Sequence, residues 1–557
     1  MAGVPSGAHG IRLLKHAGSQ WPRVAAALRL LHLPHMPHPA PLGVALLGLG
    51  LNIVVACRMG LTTDEGSHLA YGDAILRGMP DRPNLFFSSK MPVTALNSTP
   101  RMLGNLLSHR NLAPSLVRIL PGLVSILEDL RTARMVTVAS AFCLCLLVFS
   151  FAESLYGRVA GLFAQLLFVL SPNIIAHSTV ATTDLYIALG AVGFLYFLRR
   201  FLLNPTAWNA LLAASWLGFS QLTKFSGVYL YFVLLIVLIS CLCLSRLSMK
   251  QAGMLLGLSA VCSLAFINVG FAFRRTFTPL ARYEFMSPGF QALQRAPLVR
   301  DIPLPFPYAY LQGYDMTGYD NAHAVTFDNL TLLGEVRGTQ LARSGGFASY
   351  YLIAYGLKEP IGMQILLLLG VLWIVRHRRF SDFLLAEWPL FVTAAVLLVA
   401  LSFFSNTQVG IRHILPVLAI FAIASGAAFA KFAEFSRARK ALLIACLVYT
   451  AISVASYFPD MIPYFNEIVT DRKMAYRYLA DSNLDWKQDR DIVAAFLEKN
   501  PSVKLDPPEP VTGWVLVRAN LLAGVIPKKA DYWLRERSLQ PVRHVAYAHL
   551  LFWVPPA

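Results

Sequence analysis

Two adjacent carboxylates, Asp64 and Glu65, follow the first long apolar run of this 557-residue chain. The stretch after them is amphipathic to Arg77 and is followed by Gly78, which is a typical helix ending. Thr62 and Glu65 have the spacing of a capping box, so one interpretation of the acids is helix capping. The other interpretation is a general base at the membrane surface. Neighbouring helical residues point about 100° apart, so Glu65 can cap the helix while Asp64 faces a cavity.

The segments that must position these acids are strongly apolar. Hydrophobic residues make up 56% of the chain and charged residues 14%, against about a quarter charged in soluble domains, which indicates lipid as the solvent. Runs as long as a bilayer is thick predict an all-α polytopic membrane protein with about eleven transmembrane helices. These runs lie at 42–58, 134–152, 159–176, 184–203, 207–223, 225–245, 252–272, 354–375, 385–404, 411–430 and 440–458.

The basic residues orient the predicted spans. With the N-terminus inside, the short inner loops are rich in arginine and lysine, whereas the short outer loops contain only Lys224 and Arg412. This positive-inside pattern accounts for much of the net charge of +18 and argues against nucleic acid as a partner. The C-terminus is then outside. The predicted organisation is a cytoplasmic lead (1–41), a transmembrane domain (42–458) with outward loops (59–133 and 273–353), and an outward C-terminal domain (459–557).

The region around Asp64 resembles a known class of enzymes. Asp64-Glu65 after the first span, with the helix-forming sequence His68–Gly78, resembles the protein O-mannosyltransferases and aminoarabinose transferases of the GT-C superfamily of integral-membrane glycosyltransferases. The resemblance implies that Asp64 is the catalytic base or a key acid. Lys90-Met91-Pro92 keeps the lysine and one proline of the Lys-Pro-Pro or His-Pro-Pro element of that family, and Ser89 stands where a Glu is often found.

Further matches follow in order along the chain. Ser171–His177 runs into Thr182-Thr183-Asp184, and the resemblance implies a second active-site acid at Asp184, for which a helix N-cap is the alternative. Other elements at outward turns are Lys224, Arg412 with His413, and Lys358-Glu359-Pro360. The resulting candidates for binding substrate or phosphate are Lys90, His177, Lys224, Lys358, Arg412 and His413.

A cluster of cations suits a lipid-phosphate leaving group. Negative charge grows on the phosphate as the glycosidic bond breaks, and fixed Arg or Lys side chains stabilise it. The alternative for Lys224 and Arg412 is contact with lipid headgroups. No spacing of acids and histidines demands a metal, so we expect neither a metal nor another cofactor.

The tail contains a last motif, Asp481-Ser482-Asn483-Leu484-Asp485-Trp486-Lys487-Gln488. It is similar to a pattern in one bacterial branch of these transferase-like proteins, with Lys487 where Gly is usual. The spaced acids do not fit an EF-hand, because Trp486 takes the place of its Gly. A turn that caps a helix starting near Asp489 is the simpler interpretation, and binding of acceptor or carrier by Asp481, Asn483, Asp485 and Trp486 is the alternative. Gly513–Val517 predicts a strand in a small α/β-like domain.

The sequence therefore predicts an inverting glycosyltransferase that moves sugar from a polyprenyl-phosphate carrier to an unidentified hydroxyl acceptor outside the membrane. By the tail motif, a bacterial inner membrane is its expected location. A transporter or flippase for lipid-linked sugars, or a non-catalytic binder of them, is the alternative. A transporter should place ionisable residues near the bilayer midplane, whereas here the candidates cluster at the outward ends.

Overall fold

A computed structural model describes residues 39–108, 120–338, 345–535 and 537–556. Nearly all of the predicted cytoplasmic lead lies outside the described residues. The α-helices are α1 (Pro39–Arg58), α2 (Glu65–Leu76), α3 (Thr94–Ser108), α4 (Leu120–Glu128), α5 (Leu130–Tyr156), α6 (Arg158–Leu170), α7 (Pro172–Ser178), α8 (Asp184–Leu203), α9 (Ala207–Ser220), α10 (Tyr229–Cys243), α11 (Met249–Gly270), α12 (Pro288–Arg295), α13 (Tyr308–His323), α14 (Tyr350–Lys358), α15 (Ile361–His377), α16 (Phe380–Ala386), α17 (Trp388–Phe403), α18 (Leu415–Gly426), α19 (Arg437–Ala455), α20 (Arg490–Lys499) and α21 (Ala519–Ala523).

Most of the predicted spans are present as helices. Within the described residues, seven helices are long and apolar enough to cross a membrane, and three bent pairs bring the number to ten at most. The seven are α1, α5, α8, α10 with its preceding turn, α11, α18 with its flanking turns, and α19; the pairs are α6–α7, α14–α15 and α16–α17.

The expected count of eleven is not reached because the run 207–223 forms a short helix. This helix, α9, has 14 residues, which at 1.5 Å per residue is about 21 Å long, against a hydrocarbon core of about 30 Å. It packs between α8 and α11. Hydropathy alone could not show this, because Gln221–Lys224 forms a turn that ends the helix.

Two spanning helices form the centre of the bundle. In the most apolar 18-residue stretch of α8 and of the span Ile411–Phe429, 89% of the residues are buried, against half or fewer in the other five single spans. The two helices pack against each other. Asp184 is the first residue of α8, and Arg412 lies in the 3₁₀ turn Ile411–Ile414 that precedes α18. The most buried helices thus begin with two of the candidate site residues.

The strands lie outside the predicted spans. β1 (Leu330–Leu332) and β2 (Glu335–Arg337) form an antiparallel hairpin. The tail contains a sheet of order β3-β4-β6-β5, in which only the β3–β4 pair is parallel. Its strands are β3 (Lys504–Leu505), β4 (Gly513–Arg518), β5 (Arg543–Val545) and β6 (His549–Val554). β4 confirms the strand predicted at Gly513–Val517, and α20 packs on the sheet through Val493.

A buried ion pair connects the first spans to the loops that carry the acids. Arg134 of α5 donates to both carboxylate oxygens of Glu65, at 2.8 and 2.6 Å. Its remaining N–H groups donate to the carbonyls of Ala56, Met59 and Gly60 at 2.6 to 3.0 Å. Both side chains are fully buried. The pair therefore fixes the end of α1 relative to the start of α2.

Replacing Glu65 by Gln should strongly destabilise the protein. The substitution keeps the shape but leaves the Arg134 guanidinium buried without its counter-charge, a loss of about 3–5 kcal/mol. Asp73→Asn is the matched control on the same helix, because it breaks a partly exposed ion pair of 3.4 Å with Arg101 that is worth about 0–1 kcal/mol. Thermal midpoints in detergent compare the two variants, and an equal effect of both would contradict the assignment.

Candidate active site

The structure brings two acids and two cations from distant parts of the chain into one cluster. Arg412 Nη1 lies 2.6 Å from Asp64 Oδ2 and 3.8 Å from Asp184 Oδ2. Lys224 Nζ lies 2.5 Å from Asp184 Oδ1. We refer to Asp64, Asp184, Lys224 and Arg412 as the acid–cation cluster. The sequence candidates Asp64, Asp184, Lys224 and Arg412 thus lie together in space.

Local structure positions three members of the cluster. Asp64 is the residue before α2, and it makes no side-chain capping bond. Asp184 opens α8 and accepts a hydrogen bond of 3.3 Å from the Thr182 hydroxyl. Gly410, two residues before Arg412, has φ +154°, and a Cβ there would overlap the Ser482 hydroxyl oxygen. The glycine therefore allows the turn that carries Arg412 to pack against Ser482.

Lys90 lies beside the cluster with its ammonium group unpaired. Arg82 fixes the backbone of this loop by donating to the carbonyls of Phe87, Ser88 and Lys90 at 2.8 to 3.1 Å. The Lys90 side chain is buried, and within the described part of the chain its ammonium has no hydrogen-bond or ion-pair partner. Burial lowers the pKa of Lys90, and the charges of Arg412 and Lys224 add to this, whereas Asp64 opposes it. An unpaired ammonium next to two other cations is suited to binding an anion.

The charges of the cluster decide which forms are present at neutral pH. Burial by itself raises the pKa of Asp64, but the attraction of Arg412 and Lys90 outweighs it and leaves the pKa well below its ordinary value. Burial and Lys90 lower the pKa of His68 well below its ordinary value. At neutral pH Asp64 is therefore a carboxylate and His68 a neutral imidazole.

Several polar atoms around the cluster lack partners among the described residues. They are buried and are His68 Nδ1, His177 Nδ1, Arg412 Nε and Tyr351 Oη. The His177 ring packs against Trp486, with 5.8 Å between centroids, and His413 lies within electrostatic reach of Asp184. Buried polar groups are usually paired, so these atoms indicate where a polar ligand would bind.

The structure places two of the sequence candidates, Glu65 and Lys358, in supporting positions. Glu65 is the partner of Arg134, and its carboxylate also accepts from the backbone N–H groups of Thr62 and Ala181 at 3.0 Å. Only half of the expected capping box forms, because the Thr62 hydroxyl donates to Glu65 and does not accept from the helix. Lys358 is fully buried and donates to the carbonyls of Ile462 and Asn483 at 2.7 and 2.6 Å. Its ammonium is therefore not part of the acid–cation cluster.

The tail motif packs against the acid–cation cluster. The guanidinium of Arg412 stacks over the Trp486 ring, 4.2 Å from its centroid. The Trp486 carbonyl accepts from the Thr63 backbone N–H at 3.1 Å, next to Asp64. Asn483 accepts from the Ile411 N–H at 3.0 Å and donates to the Tyr350 hydroxyl at 2.9 Å.

Asp485 belongs to a different group of charges. Burial raises the pKa of Asp485, with Asp489 adding to this and His549 opposing it, so its neighbours are in the C-terminal domain. The helix expected near Asp489 is confirmed as α20, for which Asp489 is the N-cap residue. The motif therefore lies between the acid–cation cluster and the C-terminal sheet.

Sequence reasoning missed two arginines that hold the site together. Arg134 begins a long apolar run, and a lone arginine inside such a run is a signal for a buried charged partner. Arg82 gave no such signal, because it lies in a polar loop, and its contacts with the Tyr71, Phe225 and Phe271 rings join parts of the chain that are far apart.

Lys487→Gly should stabilise the protein. Lys487 has φ +66°, a left-handed conformation that costs a residue with a Cβ about 1–2 kcal/mol, of which the greater chain entropy of unfolded Gly cancels about half. The thermal midpoint should therefore rise slightly in Lys487→Gly and should not rise in Lys487→Ala. A rise of equal size in both variants would show that loss of the charge, and not backbone strain, is responsible.

Part of the chain is similar in sequence to a known protein family. Residues 119–269 match the sequence model of the family described as dolichyl-phosphate-mannose-protein mannosyltransferase. This range includes Asp184 and Lys224 and excludes Asp64, Lys90 and Arg412. No curated protein sequence gives a significant match.

Two solved structures illustrate the structural similarity. ArnT from Cupriavidus metallidurans bound to undecaprenyl phosphate has 12% identity over 93% of this chain and 98% of its own, with a TM-score of 0.47. The oligosaccharyltransferase AglB from Archaeoglobus fulgidus, in complex with an inhibitory peptide and a dolichol-phosphate, has 13% identity over 75% of this chain and 55% of its own, with a TM-score of 0.44. By its family match and its motifs, this integral membrane protein resembles the GT-C membrane glycosyltransferases of the protein O-mannosyltransferase and aminoarabinose transferase type.

Proposed function

We propose that the protein is an inverting glycosyltransferase that moves a sugar from a polyprenyl-phosphate carrier to an acceptor hydroxyl on the outer face of the membrane. The observation that carries this proposal is the acid–cation cluster with the unpaired Lys90 beside it. The dolichyl-phosphate-mannose description of the matching family agrees with the donor class. The acceptor is a hydroxyl of a protein, lipid or glycan.

The balance of charge at the site suits this donor. Lys90, Lys224 and Arg412 carry three positive charges, and Asp64 and Asp184 carry two negative charges, which leaves one positive charge in excess. A polyprenyl-phosphate sugar is a phosphodiester with one negative charge, and its leaving group gains a second as the glycosidic bond breaks. Fixed cations therefore stabilise the transition state more than the bound donor.

The geometry also supports a single displacement. The acceptor oxygen attacks the anomeric carbon, the bond from that carbon to the phosphate oxygen breaks, and its electron pair stays on the phosphate. Asp64 accepts the hydrogen bond of the acceptor hydroxyl and takes its proton. Asp184, held by Lys224 and Thr182, orients the sugar or the acceptor. The carboxylates of Asp64 and Asp184 are each paired with a cation. This pairing favours a role in orienting a hydroxyl over direct attack of the carboxylate on the anomeric carbon.

Arg412 couples the donor to the acceptor side. Its Nη1 binds Asp64, while its Nε has no partner among the described residues. A bound phosphate that interacts with the guanidinium of Arg412 weakens the attraction between Arg412 and Asp64. Donor binding therefore makes Asp64 a stronger base. Sugar transfer is then favoured only when the donor is in place.

This mechanism uses no metal or other cofactor, and that expectation stays a prediction. Among the described residues, no group of three or more His, Cys, Asp or Glu side chains is arranged to hold a metal ion. We place the protein in a bacterial inner membrane with the site towards the periplasm, on the basis of the positive-inside pattern and the tail motif. Membrane lipid is the remaining partner.

Asp64→Asn should abolish sugar transfer while leaving donor binding intact. Without the carboxylate the acceptor hydroxyl loses its base, an effect of about 100-fold or more on turnover. The measurement is sugar release from a panel of radiolabelled polyprenyl-phosphate sugars, with purified wild type, Asp64→Asn and the control Asp73→Asn, which changes an acid outside the cluster. Equal activity in all three would remove Asp64 from the mechanism. A wild type that binds a donor and never releases its sugar would favour a transporter or a non-catalytic binder.

Lys90→Met should weaken binding of the carrier phosphate. Methionine keeps the side-chain length and removes the charge, so a loss of about tenfold or more in affinity is expected from one charge-assisted contact. Binding of polyprenyl phosphate by purified protein measures this. Lys250→Met, at the opposite end of α11 from the site, is the matched control, and equal affinities for both variants would place the phosphate elsewhere.

A further inference from the structure

A groove in the C-terminal region is lined mostly by basic side chains and includes no residue of the acid–cation cluster. Two separate segments line it, residues 470–473 and residues 542–544, the second of which includes the start of β5. Its volume is about 420 Å³, within the range of ligand-binding clefts. We refer to it as the basic groove.

The basic groove has an excess of positive charge. Arg472, Lys473 and Arg543 contribute three positive charges and Asp471 one negative charge, which leaves two positive charges in excess. Lys473 Nζ lies 3.6 Å from Asp471 Oδ2, and both side chains are partly exposed, so this ion pair is weak. An anion in the groove would therefore be attracted by cations that the protein neutralises only in part.

His544 adds an uncharged hydrogen-bond donor to the groove. Its Nδ1 accepts from the Tyr547 backbone N–H at 3.3 Å, so the proton of the neutral ring lies on Nε2. The ring stacks on that of Tyr547, with 4.3 Å between centroids. Burial lowers the pKa of His544, with Arg472 and Lys473 adding to this and Asp471 opposing it. At neutral pH the imidazole is therefore a neutral donor.

Arg472 fixes the groove to the end of a spanning helix. Its two Nη atoms donate to the carbonyl and the hydroxyl of Ser456 at 3.1 and 2.7 Å. Ser456 is the C-cap residue of α19, which has 19 residues. Such a helix is about 28 Å long, close to the hydrocarbon thickness of about 30 Å. Ile452, one turn before Ser456, is 64% exposed, as expected of a lipid-facing side chain. The groove therefore lies at the level of the lipid headgroups.

A stack of aromatic rings supports this placement and holds the arginine. The Arg472 guanidinium lies over the Tyr457 ring, 4.0 Å from its centroid, and Tyr457 stacks on Tyr547 at 4.7 Å. Tyrosines are enriched at membrane interfaces because their rings are amphipathic. Ser456 takes two of the five N–H groups of the guanidinium, and among the described residues no further hydrogen bond of Arg472 is found. The other N–H groups can bind a ligand.

We propose that the basic groove binds the phosphate of an anionic phospholipid in the leaflet at the C-terminal end of α19. Arg472, Lys473 and Arg543 supply charge-assisted hydrogen bonds to the phosphate oxygens, and His544 supplies a neutral one. The acyl chains lie along the exposed side of α19, next to Ile452. Basic residues at a bilayer surface attract anionic lipids, and the anchoring of the groove to α19 favours a lipid over a free phosphate. The inference does not depend on the proposed function.

The test is binding of radiolabelled phosphatidylglycerol to the full-length protein in detergent. The double variant Lys473→Met/Arg543→Met should bind it about tenfold or more weakly, because two cations near the phosphate are lost. Arg472 is kept, since it also holds Ser456. The matched control is Lys528→Met/Lys529→Met, which removes the same charge from exposed positions outside the groove. Lys473→Arg/Arg543→Lys keeps both charges and should bind like wild type. Equal binding by all four proteins would overturn the inference.

Competition distinguishes the phospholipid from other ligands. Unlabelled phosphatidylglycerol should displace the label, whereas phosphatidylcholine and glycerol 3-phosphate should compete poorly. Equal competition by phosphatidylcholine would show that acyl chains and not the charge determine binding, and equal competition by glycerol 3-phosphate would assign the groove to a soluble phosphate. Either result would overturn the inference. The groove variant should still bind polyprenyl phosphate like wild type, and a parallel loss of both lipids would show that the groove is not a separate site.

Discussion

The ion pair between Glu65 and Arg134 is the interaction on which the site depends. A buried pair is stable only when its remaining hydrogen-bonding groups are also satisfied, and here the arginine donates to three carbonyls at the end of α1. The Glu65 carboxylate also accepts from the Ala181 N–H, three residues before Asp184. One pair therefore sets the register of the first loop and of α8, and with them the positions of both site acids.

Charges within the site are arranged for a ligand and not for the stability of the free protein. Most of the Lys90 side chain is buried, and its ammonium has no partner among the described residues, so an anionic ligand would find a cation there that no protein acid neutralises. Arg412 binds Asp64 through one nitrogen, and the face of its guanidinium stacks on the Trp486 ring. Under the proposed function, cations fixed in this way would stabilise the charge that develops on a leaving phosphate, since little reorganisation remains to be done.

The C-terminal region is part of the site as well as a separate sheet. Residues 481–488 contact the loop before Asp64, the turn before Arg412 and helix α14, whereas Asp489 is bound to His549 of β6 at 2.8 Å. A change in the sheet can thus reach the acid–cation cluster through α20 and the motif. This arrangement gives a physical reason for the motif to contain both small polar side chains, which bind backbone groups, and a tryptophan, which covers a guanidinium.

The sequence by itself determined the membrane class, most spans, the ends of α2 and the residue types of the site, because hydropathy, helix-ending residues and charge are local properties. It could not separate three lysines that follow similar motifs. Lys224 is paired with Asp184, Lys90 is unpaired and Lys358 binds backbone carbonyls, and these partners are far away in the chain. The short helix α9, the role of Arg134 and the basic groove were likewise decided by tertiary structure. Pairing and burial depend on which segments meet in space, and only the packed bundle determines that.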